Sequence, residues 1–466
     1  MQNYRDNHEE PHRALLERYE GSLYGKTGEG FFDTDEFETI TDHYIHENQL
    51  NKARGALERG LYIHPMAPGL LARKGQLLAL EQKPRDARPY LEQVVLLEPN
   101  NTEYWVMLAG IYEDLEAYDQ AIEAFEQALC YTQDTDEIHL MLAYLYENLD
   151  RFEEAIQHLE RAHEANPANA QVLYEMAYCY DYLGRPQESI RYYERFIDED
   201  PYSYTAWYNM GILHSRVEND EQAEFCYDYA LIIHEEFGPA LYNMGHLRVK
   251  QERYEEAIPY FLRCVELKQE DAMVLYHLAS CYKMTDDNGL ARRYFKSALD
   301  MDTELSDGWF GLGVTYESEG RYQMALRYLR RAIKLEEDNA YYWHAVARCE
   351  LSLHREEASL EAFEEALECD PEAVAVWIDY AMTLVDVEET DEAVDALKDA
   401  IKTNPDTSDL YFVLAGMLFE MEDLEQSADY FHAGMCLDAS RHLITFDYFP
   451  HLSEVVFFQQ LIQNHL

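Results

Sequence analysis

The chain has 466 residues, with 37 Lys and Arg against 91 Asp and Glu for a net charge of −54. Phosphate contacts are made by Lys and Arg, so a chain this poor in them is not expected to bind free duplex nucleic acid or an anionic membrane surface, whereas a basic partner would be attracted. The same carboxylate excess also keeps a long exposed surface soluble.

Residues 1–33 read as a lead-in, with a short polar helix around residues 11–20 followed by a Gly-rich joint, GSLYGKTGEG. Gly21-x-x-x-Gly25-Lys26-Thr27 is one residue short of a phosphate-binding loop and no strand precedes it, so it reads as coincidence. His8-Glu9-Glu10-Pro11-His12 fits H-E-x-x-H, but zinc binding needs both histidines on one helical face, and Pro11 is expected to interrupt that turn. The N-terminus has no apolar signal core, and no run approaches membrane-spanning length; a cytoplasmic chain is expected.

From Thr34 to Arg441 a 34-residue period holds without insertion for twelve repeats, starting at 34, 68, 102, 136, 170, 204, 238, 272, 306, 340, 374 and 408. The eighth position is small in nearly every repeat (Gly75, Ala109, Ala177, Gly211, Gly245, Gly313, Ala347), and so is the twentieth (Ala87, Ala121, Ser189, Ala223, Ala257, Ala325, Ser359). The twenty-fourth is bulky, as in Phe125, Tyr227, Phe261, Phe295, Phe363 and Phe431. Small residues at two places let two helices approach closely while the bulky one fills the space beside them. Apolar spacing is helical, and breaks fall at polar or Gly pairs such as Gly184-Arg185, Glu218-Asn219 and Gly320-Arg321, so each repeat reads as helix-turn-helix. Prolines 65, 99, 167, 201, 371 and 405 follow the second helix, where the chain turns into the next repeat. The eight cysteines contain no C-x-x-C pair; Cys179, Cys281 and Cys349 share one repeat position and Cys130 and Cys436 another, as expected of packing residues in reduced surroundings.

Trp309-x-x-Leu312-Gly313-x-x-Tyr316, with Ala325, Leu329 and Ala332, resembles a tetratricopeptide repeat. The resemblance implies an all-α fold, a right-handed α-solenoid of helix pairs with first helices lining a concave groove and second helices outside. Lys74, Phe196, Arg248 and Glu350 depart from the family pattern, the last two standing where an aromatic is usual. The last stretch, residues 442–466, leaves the phase and is apolar. It is expected to cap the last repeat, with Ser453 starting a helix that buries Val455, Val456, Phe458, Leu461 and Ile462; a dimer or partner contact is the alternative.

No catalytic, cofactor or metal constellation is found, and the ends are too short to hold an active-site domain, so a non-enzymatic protein is expected. The family resemblance places positions 2, 5, 6, 9, 12 and 13 on the inner wall of the groove. There the fifth position gives an aromatic column, Tyr174, Tyr208, Tyr242, Tyr276 and Phe310, followed by His344. Beside it stand Asn209, Asn243 and His277, then Tyr178 and His246, and the cations Arg216, Lys250 and Lys283. Amides can bond both N–H and C=O of an extended peptide and aromatics supply rigid area, so a peptide along repeats 5 to 9 would meet all three kinds of group. Average repeats of this family also carry Tyr-Asn here, so family filler is the competing reading. The Lys-Asn-Asn-Lys-Arg clamp by which some family members hold chaperone tails is absent, and such tails are not expected to bind.

A dense acidic surface in repeats 11 and 12, from Asp379 to Glu425, is either a solvated face or a site for a basic partner. The expectation is a scaffold or adaptor binding a partner peptide or helix. The rivals are an acidic chaperone that shields basic proteins, such as nucleic-acid-binding ones, and a regulatory subunit of an enzyme complex.

Overall fold

The computed structural model describes residues 6–23 and 31–463, with the side chains of residues 6–12 outside that description. Among the described residues there is no strand, and the chain is an all-α solenoid of paired helices. It divides into two compact bodies, residues 1–233 and 234–466. In every repeat the first helix starts at position 1 (Thr34–His46 through Ser408–Glu420) and the second at position 17 (Leu50–Ile63 through Leu424–Asp438).

The pairing of the two helices follows from side-chain volume. In the first body a Cβ on Gly211 would lie 2.6 Å from the Tyr227 ring, and in the second a Cβ on Gly313 would lie 2.7 Å from Leu329, so position 8 is small because position 24 presses on it. Enlarging such a site overpacks it, typically by about 1–3 kcal/mol. Where position 20 is serine, its hydroxyl donates to the carbonyl at position 8, as in Ser189 to Ala177 at 2.6 Å and Ser359 to Ala347 at 2.9 Å. That satisfies a hydroxyl that would otherwise be buried without a partner. All five tryptophans sit at position 4, and each indole N–H donates to the carbonyl six residues earlier, from Trp105 to Pro99 through Trp377 to Pro371.

The turn between the helices has a signature that the sequence does not advertise. Position 15 has positive φ in all twelve repeats, yet only Gly184 and Gly320 are glycine; Asn48, Gln82, Glu116, Asp150, Glu218, Glu252, Asp286, His354, Glu388 and Glu422 adopt the same left-handed conformation. The helix pair imposes the turn against a local preference.

Three expectations are corrected. The first helix runs Asp6–Leu23 straight through Pro11, so the proline does not interrupt it. Proline removes one N–H and crowds one carbonyl, which deforms a helix without obliging it to end. The histidine side chains of that H-E-x-x-H pattern lie outside the described residues, as do Gly25, Lys26 and Thr27 of the near-phosphate loop. Cys130 and Cys436 are exposed rather than packed, whereas Cys179, Cys226, Cys264, Cys281 and Cys349 are buried as packing residues.

Ser453 does not cap the final helix. It lies within a 3-10 turn, Pro450–Glu454, where its hydroxyl donates to Pro450, and the helix that follows is Val456–Gln463 with Val456 exposed. The terminal segment covers the last repeat with Phe458, as expected, and with Thr445, Phe449 and Leu452, all buried, while Val455, Leu461 and Ile462 are partly buried against the same core. Phe449 lies over Gly416, and Phe458 packs on Phe419 and Phe431 at 5.1 and 5.2 Å.

Candidate functional site

The first-helix face of the first body carries Tyr174 and Tyr178 (Ala170–Tyr182) and Tyr208, Asn209 and Arg216 (Tyr204–Arg216). Tyr174 is half-buried, edge-on to Tyr193 and Phe196 at 5.5 and 5.4 Å. Asn209 gives both its amide hydrogens to tyrosine hydroxyls, Tyr174 and Tyr193, each at 3.0 Å. Its amide therefore has only the carbonyl oxygen to offer a peptide, half of the two-sided bonding expected of it. Arg216 pairs with Asp181 at 2.5 Å across successive repeats, so this cation is already engaged. Tyr178 packs on Tyr182 at 5.0 Å, and burial pushes its phenol up. Tyr208 packs on Tyr227 at 6.1 Å.

Beside Tyr178 stands a group that the sequence reading missed. Glu175 is 8% exposed and accepts from Tyr144 at 3.1 Å and Gln171 at 2.5 Å; Glu147 accepts from the Cys179 thiol at 3.3 Å. Neither carboxylate has a cation partner among the described residues. Burial, then the charge of Glu175, pushes Glu147 up to about 7, and burial raises Glu175 and the Cys179 thiol. Glu147 and Glu175 lie at inner-wall positions 12 and 6, which a position-by-position scan for acids on that wall would have found.

The second body carries the remaining candidates. Tyr242 is half-buried against Phe261, His277 and His246 at 6.0, 5.7 and 6.3 Å. His277 stacks on Phe261 at 5.8 Å and meets His246 at 5.4 Å; burial, then His246, holds it down to about 4, so it is neutral at pH 7. His246 itself is exposed. Tyr276 packs on Phe295 at 6.0 Å, and Phe310 stacks on Tyr342 at 4.9 Å. Asn243 is half-buried and Lys250 exposed. Lys283 is half-buried, and among the described residues it has no carboxylate within ion-pair distance. His344 pairs with Asp379 at 2.8 Å, which takes that carboxylate out of the acidic run. Asp386, Glu388, Glu389, Asp391 and Glu392 are exposed.

Within each body the aromatic column is thus held rigid from behind by the bulky residue at position 24, through Tyr193 and Tyr227 in the first and Phe261 and Phe295 in the second. Among the described residues no group of His, Cys, Asp and Glu is arranged to hold a metal ion, and no helix is long and apolar enough to cross a membrane.

Family models match most of the periodic region. One described as tetratricopeptide repeat covers residues 140–204, and a second of the same description covers 78–145 and 113–157. The chain is a tetratricopeptide-repeat protein. A model described as the cilia and flagella-associated protein 70 C-terminal domain matches residues 238–442 of this tetratricopeptide-repeat chain. No curated protein sequence matches it. Similar solved structures include YrrB, described as a TPR protein with an unusual peptide-binding site, with 22% identity over 40% of this chain and 95% of that one and a TM-score of 0.36. A tetratricopeptide repeat protein from Parabacteroides merdae ATCC 43184 has 18% identity over 54% and 99%, with a TM-score of 0.40. MamA from Desulfovibrio magneticus RS-1 has 21% identity over 36% and 95%, with a TM-score of 0.35.

Proposed function

We propose that this protein is a non-enzymatic cytoplasmic scaffold that holds a partner segment, an extended peptide or a helix, on its first-helix face. The observation that carries the reading is the second-body surface: an aromatic column of Tyr242, Tyr276 and Phe310, immobilised by packing, beside exposed His246 and a Lys283 with no carboxylate in ion-pair distance among the described residues. Rigid aromatic area binds with little loss of side-chain entropy, and a cation without an internal partner favours a carboxylate or carbonyl from outside. In the first body the engaged Asn209 and Arg216 leave Tyr174, Tyr178 and Tyr208 as contact area with fewer polar groups to direct a ligand.

The test is site-specific photo-crosslinking in cells of origin from a reactive residue placed at His246, with the same residue at exposed Glu389 as the control. A discrete adduct from position 246 that disappears with Lys283→Glu supports the reading; adducts equal at both positions, or none at 246, contradict it. Repeating the capture in high salt separates this from masking of basic proteins by charge. Aromatic contacts persist when the screening length shortens, and charge masking fades.

A further inference from the structure

Position 11 of the first helix and position 23 of the second carry a stacked ring pair in several repeats. The rings are Tyr180 and Tyr192 in repeat 5 (5.4 Å, 7°), Tyr282 and Tyr294 in repeat 8 (5.6 Å, 4°), and Tyr316 and Tyr328 in repeat 9 (5.4 Å, 12°). In repeat 9 the second ring also stacks on Trp309, at 6.1 Å and 16°. Repeat 10 keeps the tryptophan, Trp343, but has Glu350 at position 11 and Ala362 at position 23. Both rings are gone.

What replaces them is a cleft of about 970 Å³ between the second helices of repeats 9 (Tyr322–Leu335) and 10 (Glu356–Cys369), walled by Trp343, Ile333, Val346, Ala358 and Ala362. Trp343 uses its N–H on Glu337 at 2.9 Å and has no ring neighbour among the described residues. Deep in the cleft Glu350, 2% exposed, accepts from Arg330 at 2.7 Å and Arg355 at 3.0 Å. An arginine at the position of Arg355 lies over the position-11 tyrosine in other repeats, Arg185 over Tyr180 and Arg321 over Tyr316; in repeat 10 the carboxylate takes its place. The cleft is therefore held open by a complete ion-pair network. Its rim is acidic: Glu361, Glu365 and Glu368 follow one face of the repeat 10 helix, all exposed and none in an ion pair among the described residues, with Glu337 and Asp338 opposite. Lys334 is the one rim cation outside the Glu350 network.

We propose that this cleft is a docking site for an aromatic side chain of a partner polypeptide, flanked by Arg or Lys. The ring takes the place over Trp343 that Tyr328 holds over Trp309, and the flanking cations meet Glu361, Glu365 and Glu368. An aromatic anchor in a preformed pocket with charges at the rim is the arrangement in which a short contact carries most of the binding energy. The site lies on the opposite side of the repeats from the first-helix face and stands without the function proposed above.

The probe is a capped, dye-labelled peptide with one tryptophan between two pairs of arginines, titrated into the full chain at physiological ionic strength and read by fluorescence anisotropy. Saturable binding is expected, weakened about tenfold or more by each of three changes: Ala362→Tyr, which supplies the missing ring; Glu365→Lys with Glu368→Lys; and serine for tryptophan in the peptide. Circular dichroism checks that Ala362→Tyr folds; if it does not, the exposed double charge variant and the serine peptide decide. Absence of saturable binding by the intact chain overturns the proposal, as does undiminished binding of the serine peptide, which would mean charge attraction alone. Undiminished binding by folded Ala362→Tyr or by the charge variant overturns it too.

Discussion

Repeats 9 and 10 are neighbours with the same frame. Each has tryptophan at position 4, small residues at positions 8 and 20 (Gly313 and Ala325; Ala347 and Ser359) and a buried bulky residue at position 24 (Leu329; Phe363). Repeat 9 closes its outer side with a Trp-Tyr-Tyr stack, whereas repeat 10 opens it around a buried carboxylate and two arginines. The frame positions set the fold and leave positions 11 and 23 free to vary, so a surface is made by deleting two rings without disturbing the pairing of helices.

Removing the charges that hold the cleft open should have the largest effect. Arg330→Met with Arg355→Met leaves the buried Glu350 without a cation, and because both arginines reach solvent the cost is expected at the low end of the range for breaking a buried pair, about 3–5 kcal/mol. A large fall in the urea midpoint at pH 7 is expected. An unchanged midpoint would break the account of Glu350. Opening repeat 9 comes next: Tyr328→Ala deletes the middle ring of its three-ring stack and should cost about 2 kcal/mol, since the ring is only partly buried. A loss below the error of the urea measurement would mean that the stack contributes nothing to closure.

Glu147 sharpens the comparison from the other body, as a carboxylate without the cations Glu350 has. Burial and Glu175 push it up to about 7. A folded pKa above the unfolded value near 4.3 means that this group favours the folded state below about pH 4 and that the benefit is lost as pH rises through 7. Glu147→Gln should therefore raise stability at pH 8 by on the order of 1–2 kcal/mol and leave it unchanged at pH 4. Denaturation curves at the two pH values check this. The smallest effect belongs to the turns: position 15 is Gly320 in repeat 9 and His354, at φ 55°, in repeat 10. His354→Gly should stabilise by about 0.5–1 kcal/mol and Gly320→Ala should destabilise by a similar amount, read as opposite shifts in Tm.

Most of the fold was legible because it repeats: positions 8, 20 and 24 recur twelve times, so one exception cannot hide them. The left-handed turn was not legible, since residue type at position 15 ranges from Gly to His and Glu, and only the phase places them together. Glu350 stood out in the sequence as a departure, but Ala362 did not, because alanine is unremarkable alone; the signal was the pair. The candidate site was legible in composition and not in availability. Nothing in the sequence says that Tyr174 and Tyr193 would occupy Asn209, or that Asp181 would hold Arg216, because these partners lie 16 to 35 residues away and meet only through helix packing. The terminal segment showed the same limit: its apolar content was plain, but which of its residues turn inward depended on the 3-10 turn at Pro450–Glu454.

The claim that repeat 10 is open where repeat 9 is closed has a direct measurement. In protein labelled with fluorotryptophan, with resonances assigned by single Trp→Phe substitutions, the solvent isotope shift between H2O and D2O reports how much water reaches each indole. A larger shift for Trp343 than for Trp309, brought to the Trp309 level by Ala362→Tyr, is the predicted result. Equal shifts for the two indoles in the intact chain would contradict it.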